Sequence, residues 1–348
     1  MEPKRNRTKT LRWSGLVGLA TRPEYSSAII LIVMVTVAAI LQKNFFRGPS
    51  LVLTIDAFGP LILLTMGQAV VMVTGLLDLS AGAALSLYTC ILTYVMKTGQ
   101  PETGVYALLI TFVVAAVVGI INGIGAGYLR ISPVVVTFAT SFIWLGISLF
   151  LRPTPGGQSV NWFNAFYDFR NVDGMPPLLQ SVSSFLPPVL ILVLVGCLFW
   201  YALSRTRTGR HLRAVGGNEE SAYRSGINTA RVQITAYVAN SLFVFLAALF
   251  FVGQNQSGDA RFGSPFTLQT IAAAVVGGIA LTGGRGSVYF AIVGALIINL
   301  VNKIIFFANI PYAYGTLVAG AIVIIAIGGS QLYATYGNRA LARGRVQR

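Results

Sequence analysis

Few side chains in this sequence have the types and spacing that catalytic chemistry requires. It contains a single histidine, His211, which lies among arginines, and two cysteines, Cys90 and Cys197, which lie in apolar runs. No Cys/His cluster and no pair of carboxylates at catalytic spacing occurs, so no machinery for hydrolysis, redox or metal chemistry is visible. We therefore expect that the chain catalyses no covalent step and binds no metal or cofactor.

Asp78 is the most unusual chemical group because it lies between two apolar runs, in VVMVTGLLDLSAGAALSL (residues 70–87). An ionised carboxylate in mid-bilayer costs about 2.5–3.5 kcal/mol on insertion scales, so it should be paired, solvated or placed at a helix start. Asp78 and Ser80 suit a helix start, since both side chains can accept hydrogen bonds from the free N–H groups there. We expect Asp78 to fix a re-entry turn that lines the lower translocation path, with capping favoured over direct contact with a solute.

Two further polar side chains in apolar runs are candidates for the same path. Asp56 precedes Pro60 in LTIDAFGP, and a proline inside a helix interrupts the hydrogen bonding. We expect Asp56 near the outer end of a span that Pro60 breaks. Gln68 follows close to the same helical face and can hydrogen-bond a hydroxylated solute. The predicted translocation path therefore consists of Asp56, Gln68, Asp78 and Ser80.

The composition places these groups in a membrane protein. Of the 348 residues, 55% are hydrophobic and 10% are charged, whereas an average soluble domain has about 25% charged residues. Apolar runs near the roughly 20 residues that cross a hydrocarbon core predict an all-α polytopic membrane protein with about ten transmembrane helices. In chain order the candidate spans are Ser27–Leu41, Leu51–Val73, Ser80–Met96, Val105–Tyr128, Pro133–Leu151, Pro188–Leu203, Val232–Val252, Thr270–Leu281, Val288–Phe306 and Gly315–Ile327.

The distribution of positive charge predicts the orientation. The net charge is +15, and with ten spans most of the 25 Lys and Arg residues fall on the cytoplasmic side, as the positive-inside rule requires. We expect both termini in the cytoplasm, with a basic N-terminal arm (1–25), a transmembrane domain (26–330) and a basic tail (331–348). Within the domain we expect a cytoplasmic loop at 204–231 and an extracytoplasmic loop at 152–187. Because the cations are divided among short loops, we expect no binding to nucleic acid.

Glycine patterns predict close helix packing and a tight turn. Gly119, Gly123 and Gly127 form a tandem GxxxG in VVGIINGIGAGYL, and small residues at this spacing let two helix backbones approach closely in a membrane. A second glycine-rich stretch, VVGGIALTGGRGS (275–287), falls at a membrane edge, where we expect the chain to turn. No GxxxxGK[ST] motif is present, so this chain does not bind ATP in the P-loop manner.

The cytoplasmic loop contains one organised segment, GGNEESAYRSGIN (216–228). Asn218 can cap a short helix with Glu219 and Glu220 in its first turn and Arg224 in its last, and Gly226 can end it in the left-handed conformation. Such a helix is too short to be stable alone in water, so it is either a loop helix held by this protein or a docking element for a cytoplasmic partner. We favour docking. The residues assigned to it are Gly217, Asn218, Glu219, Glu220, Ala222, Tyr223, Arg224, Ser225 and Gly226.

Three sequence blocks occur in a recognisable order: TGLLDLSAGAALSL, AVGGNEESAYRSGINTARVQ and IAAAVVGGIALTGGRGSVYFAIVGALI. Together they resemble the permease subunits of bacterial ribose-type, monosaccharide ABC importers, and the similarity runs from about Leu51 to Ile327. The resemblance implies a lipid-embedded subunit of the bacterial inner membrane that translocates a monosaccharide or related polyol. It also implies a second permease, identical or not, two cytoplasmic ATPase domains that bind ATP-Mg, and an extracytoplasmic sugar-binding protein. Residues 216–228 then match the coupling helix, which lies in a groove of the ATPase.

The same residues also bear on three other classes of transport protein. A proton-coupled secondary transporter should carry titratable groups in several spans, and only Asp56 and Asp78 are candidates here. A passive channel should have a charged selectivity ring, which is not visible. The branched-chain amino acid permeases are the nearest rival among ABC proteins. The aromatic residues from Trp162 to Phe169 are expected to lie against the membrane surface and receive the binding protein, or to form an aromatic belt.

Overall fold

The computed structural model describes residues 23–167 and 187–309, together with a few isolated positions between 311 and 321. Within these residues the regular elements are helices, which we number in chain order. They are α1 (Pro23–Leu41), α2 (Gly48–Val73), α3 (Ala81–Val95), α4 (Glu102–Gly127), α5 (Pro133–Leu151), α6 (Asn161–Tyr167), α7 (Val189–Arg205), α8 (Arg207–Gly217), α9 (Glu219–Arg224), α10 (Thr229–Asn255), α11 (Phe266–Val276) and α12 (Val288–Phe307).

Five of the described helices, α2, α4, α5, α10 and α12, are long and apolar enough to cross a membrane. The pair α7 and α8 meets the same criterion only together and bends by 81° at its junction, which makes a sixth candidate. The apolar helices α3 and α11 and the Ser27–Leu41 part of α1 are shorter. The all-α membrane fold is therefore confirmed at this coarse level, while the count of about ten spans stays a prediction.

The first nine predicted spans each coincide with a helix; the bounds of Pro133–Leu151 are identical to those of α5, and the others differ by a few residues. The tenth, Gly315–Ile327, lies largely outside the described residues, as do the tail and most of the N-terminal arm. The largest shift concerns the span predicted at Thr270–Leu281, because α11 begins at Phe266 and ends at Val276. Gly278 has a positive φ of 89°, a backbone conformation that suits glycine and stops the helix before Leu281.

The helices α2 and α10 form the centre of the molecule. Every residue of α2 from Phe58 to Val73 is buried, and α10 packs along α2, α4 and α3. The helix α2 runs through Pro60 without ending there, which corrects the expectation that Pro60 breaks this span. Proline removes one backbone donor, and neighbouring helices can hold a helix together at such a point in a membrane. By contrast, α4 and α5 leave many large apolar side chains exposed, as lipid-facing helices do.

The cytoplasmic loop predicted at 204–231 is mostly helical. Thr206 caps α8 by accepting a hydrogen bond from the Gly209 N–H (3.1 Å), and Leu212 and Val215 bury the apolar side of this arginine-rich helix. The helix α8 was not predicted, because its few apolar residues are dispersed among cations that suggest a solvated loop. Because α8 directly precedes it, α9 follows another helix rather than lying in an irregular loop.

The described part of the loop predicted at 152–187 folds onto the helix ends. Phe163 and Tyr167 of α6 are buried, and the Trp162 Nε1–H donates a hydrogen bond to the carbonyl oxygen of Pro101 (2.9 Å). These aromatic side chains therefore pack against this protein's own helices. Phe169 lies outside the described residues.

Candidate functional site

The carboxylate of Asp78 lies in a buried polar region where the turn between α2 and α3 meets α10. Its Oδ1 accepts hydrogen bonds from the Ser80 backbone N–H (2.7 Å) and the Ser80 hydroxyl (2.6 Å). Its Oδ2 accepts one from Nδ2 of Asn240 (2.7 Å). Asp78 is 4% exposed, so directed hydrogen bonds, rather than bulk water, stabilise this carboxylate.

Ser80 connects this region to α4 and α5. The Asn122 Nδ2 donates to the Ser80 hydroxyl oxygen (2.8 Å), and the Thr140 hydroxyl donates to Asn122 Oδ1 (2.7 Å). Ser80 precedes α3, and we expected its side chain to cap that helix. The Ser80 side chain makes no capping bond, because its hydroxyl bonds to Asp78 instead. All these side chains are buried. We call Asp78, Ser80, Asn122, Thr140 and Asn240 the Asp78 cluster.

The backbone of the same turn is also held by side chains. With its amide nitrogen oriented towards the Asp78 carbonyl, Gln68 donates to that oxygen (3.2 Å) and accepts from the Asp78 N–H (3.3 Å). The Tyr237 hydroxyl donates to the carbonyl oxygen of Leu77 (3.0 Å). Because unpaired backbone groups are expensive away from water, these bonds fix the turn in one conformation.

The structure brings together three of the four residues predicted for the path. Gln68, Asp78 and Ser80 share the Asp78 region, whereas Asp56 lies about 18 Å further along α2. There the Asp56 Oδ1 accepts a hydrogen bond from the Val189 N–H (3.3 Å) at the start of α7, and Asp56 is 1% exposed. A carboxylate at a helix N-terminus is favourably placed, so Asp56 contributes to the position of α7.

Sequence reasoning missed the residues that bond to Asp78 and Ser80 from other helices. Asn122 lies inside the GxxxG stretch, and Asn240 lies in the apolar run of α10. A carboxamide in a membrane span is itself a signal, because it needs a buried partner. Asn240 Oδ1 has no hydrogen-bond partner among the described residues, and a Cβ on Gly67 would overlap this oxygen. Gly67 therefore provides the space that Asn240 occupies beside Asp78.

A charged residue within α12 was also missed. Lys303 donates to the hydroxyl of Thr54, and its Nζ lies 5.9 Å from the ring centre of Phe58 and 5.6 Å from that of Phe307. Such cation–aromatic contacts stabilise an ammonium group that is partly removed from water. Lys303 is thus a further charged side chain in the described spans, beside Asp56 and Asp78.

The described residues contain no group of three His, Cys, Asp or Glu side chains that could hold a metal ion. The Asp78 cluster surrounds one carboxylate with neutral amides and hydroxyls. Its geometry suits the positioning of a turn rather than proton transfer to a substrate, because both carboxylate oxygens are already occupied.

The short helix predicted in GGNEESAYRSGIN is present as α9. Asn218 Oδ1 accepts a hydrogen bond from the Ser221 N–H (2.8 Å), and Arg224 Nε lies 2.9 Å from Glu220 Oε1. Gly226 has a φ of 83° just beyond the helix end. Ala222 is buried and the other residues of α9 are exposed, with Tyr223 61% exposed. The helix therefore presents most of its surface away from the protein.

Two contacts anchor this exposed helix. Gln233 of α10 donates through Nε2 to Glu219 Oε1 (2.8 Å). At the base of α9, Gly216 contacts Val73 at the end of α2, and the Gly284 N–H donates to the Val73 carbonyl oxygen (2.9 Å). The base of α9, the end of α2 and the glycine-rich turn 277–287 therefore meet at one point.

The tandem GxxxG of α4 faces α10. A Cβ on Gly119 would lie 2.5 Å from the Val238 Cα, and one on Gly123 would lie 2.5 Å from the Ile234 Cα. Gly127 makes the corresponding approach to Ala230, at 3.0 Å. Because these three residues lack side chains, the backbones of α4 and α10 lie in direct contact. Small residues support helix association in lipid through this close packing.

The described residues thus form a helical membrane protein with five or six candidate spans, a buried polar turn and an exposed short helix, α9. Comparison with known proteins assigns the family: residues 50–327 match the branched-chain amino acid transport system / permease component family. The chain belongs to this family of permease components. The match confirms the resemblance to ABC importer permeases and the location in the bacterial inner membrane.

Several relatives that the chain resembles are named as permease proteins. The chain is 26% identical to the ribose import permease protein RbsC of Escherichia coli strain K12, over 87% of this chain and 92% of that protein. It is 28% identical to the autoinducer 2 import system permease protein LsrC of Yersinia pseudotuberculosis serotype O:3, over 86% and 82%. It is 26% identical to the D-allose transport system permease protein AlsC of Escherichia coli strain K12, over 87% and 90%. No solved structure matches the chain.

Proposed function

We propose that this chain is the permease subunit of an ABC importer that carries a monosaccharide or related polyol across the inner membrane. Two of the relatives are named for ribose and D-allose, and each matches this chain along most of its length. The scarcity of charged groups in the spans suits a neutral, hydroxylated solute, because a path for such a solute needs hydrogen-bonding groups but no strong counter-charge.

The observation that carries this proposal is the exposed helix α9. A capped six-residue helix has little stability of its own, yet α9 is anchored at Glu219 and Ala222 and leaves Glu220, Tyr223 and Arg224 exposed. Such a surface suits insertion into a groove of a cytoplasmic ATPase subunit. The assigned docking residues are Gly217 to Glu220 and Ala222 to Gly226.

The remaining assembly follows from this role. A second permease, identical or related, completes the path, an extracytoplasmic binding protein supplies the sugar, and ATP-Mg binds to the ATPase subunits. The permease has ten spans with both termini in the cytoplasm, which places α9 on the same side as the ATPase. Asp78 and Ser80 hold the turn at the lower end of the path, with Gln68 beside them, and Asp56 lies near its outer end.

An uptake assay tests the proposal directly. The permease is reconstituted in proteoliposomes with and without a partner ATPase and binding protein, and radiolabelled ribose and D-allose are offered. Uptake should require all components and ATP. Accumulation of solute by the permease alone would instead identify a secondary transporter.

Variants of α9 test the docking role. Lysine at Glu219 and Glu220 places positive charge at the positive end of the helix, and Gly226→Val puts a β-branched residue at a φ of 83°. Both variants should insert normally but lose transport and co-purification of the ATPase. Gly226→Asn is the matched control, because asparagine tolerates this conformation. Normal co-purification by the lysine and valine variants would remove the docking assignment.

A branched-chain amino acid is the second candidate substrate, and the description of the matched family favours it. The same vesicles distinguish the two. Radiolabelled leucine is offered to them beside the labelled sugars, and the sugar but not leucine should be taken up. Uptake of leucine alone would assign the amino acid.

A further inference from the structure

Three polar side chains occupy one face of the central helix α10. Gln233, Tyr237 and Asn240 follow one another at helical spacing, so they lie above one another along the same side of the helix. All three are buried, with Gln233 5% exposed and the other two 0% exposed. We call these residues the α10 polar face.

Each member of the α10 polar face bonds to a different element. Gln233 Nε2 donates to Glu219 Oε1 in α9 (2.8 Å), the Tyr237 hydroxyl donates to the Leu77 carbonyl (3.0 Å), and Asn240 Nδ2 donates to Asp78 Oδ2 (2.7 Å). One end of the face thus holds the exposed helix, and the other holds the turn of the Asp78 cluster. The two ends are about 10 Å apart along the helix.

The local surroundings of Gln233 do not account for a glutamine at this position. Its Oε1 is buried and has no partner among the described residues, and an unpaired buried carbonyl is unfavourable. Leucine would fill a similar volume without that penalty. The one side-chain hydrogen bond that Gln233 makes among the described residues is the bond to Glu219, so its specific contribution is to attach α9 to α10.

We propose that Gln233 is a positioning residue that makes α9, α10 and the turn at residues 74–80 move as one unit. A force on α9 then reaches the Asp78 cluster through Gln233, the rigid helix and the bonds of Tyr237 and Asn240. This inference rests on the proposed function, because it takes α9 to be the site on which the ATPase acts.

The test uses the complete transporter in proteoliposomes. In Gln233→Leu the ATPase should co-purify and hydrolyse ATP at its basal rate, while stimulation by the sugar-loaded binding protein and sugar uptake should fall at least tenfold. In the double variant Glu219→Gln/Gln233→Glu, the amide and carboxylate are exchanged and the hydrogen bond can form again, so much of the stimulation should return. Thr235→Val is the control, since its hydroxyl bonds only to the carbonyl of Arg231 in its own helix.

Three outcomes would overturn the inference. Wild-type stimulation in Gln233→Leu would show that the bond transmits nothing, and loss of ATPase binding would limit Gln233 to docking. Failure of the exchanged pair to recover stimulation while protein levels and ATPase co-purification are normal would also contradict it. If Gln233→Leu does not fold, Gln233→Asn keeps the amide but is one methylene too short to reach Glu219, so it should give the same uncoupling. Uptake by the wild-type permease alone would instead refute the proposed function.

Discussion

Gly216 lies directly against the carbonyl group of Val73. A Cβ on Gly216 would overlap that carbonyl oxygen, which also accepts a hydrogen bond from the Gly284 N–H at 2.9 Å. The contact joins the end of α8, just before α9, to the end of α2, just before the turn of the Asp78 cluster. Only a residue without a side chain allows these backbones to meet.

Replacement of Gly216 by alanine should therefore separate the base of α9 from α2. The added methyl group overlaps backbone atoms that cannot rotate away, so we expect a loss of about 1–3 kcal/mol of stability and a strong fall in uptake. The adjacent Gly217 is the control for stability, because a Cβ there has no atom within 4 Å. Thermal unfolding in detergent measures both variants, and vesicle uptake measures Gly216→Ala. Equal behaviour of Gly216→Ala and Gly217→Ala would contradict the described contact.

The Asp78–Asn240 pair predicts a rescue by exchange. Asp78→Asn replaces one carboxylate oxygen by an NH₂ group. This donor then faces another donor, either Asn240 Nδ2 or the N–H and hydroxyl of Ser80, which should lower stability by about 1–3 kcal/mol. The double variant Asp78→Asn/Asn240→Asp restores a donor opposite an acceptor and should recover most of the lost stability. Melting temperature and uptake are the readouts. A double variant as unstable as the sum of its two single variants would show that the pair does not interact.

Because α4 packs closely on α10, alanine substitutions at two helical glycines should change the melting temperature differently. Gly123→Ala places a methyl group 2.5 Å from the Ile234 Cα, and overpacking of this kind typically destabilises by about 1–3 kcal/mol. Gly146→Ala in α5 meets no atom within 4 Å, so its melting temperature should stay equal or rise slightly. A lower melting temperature for Gly146→Ala than for Gly123→Ala would reverse the expected order.

Two helix caps of the same type should differ in their effect on docking. Asn218 and Asn228 each accept a hydrogen bond from a backbone N–H three residues later, at 2.8 and 3.0 Å. Loss of an asparagine cap costs about 0.5–2 kcal/mol. Asn218→Ala should weaken ATPase binding about fivefold, because α9 is short and depends on its cap. Asn228→Ala should leave binding nearly unchanged, since packing holds α10. Equal weakening by both would argue against α9 as the docking element.

Features that depend on neighbouring residues were predicted well from the sequence. The capped helix α9 follows from Asn218, Glu219, Glu220 and Gly226, all within one short segment. The membrane-embedded helices follow from the length of the apolar runs. By contrast, α8 was missed, because its few apolar residues become informative only when Leu212 and Val215 are seen to be buried.

The sequence by itself determined the class of molecule, since a bilayer accepts long apolar helices and excludes most charge. It also identified Asp78 as a group that needs a special environment. Only the tertiary structure decided what that environment is: Asn122 and Asn240 lie far from Asp78 in the chain and reach its region through the packing of α4 and α10. Many helix arrangements bury the same apolar area, so hydrophobicity alone does not select among them. The selection comes from the specific hydrogen bonds and glycine contacts that one arrangement allows.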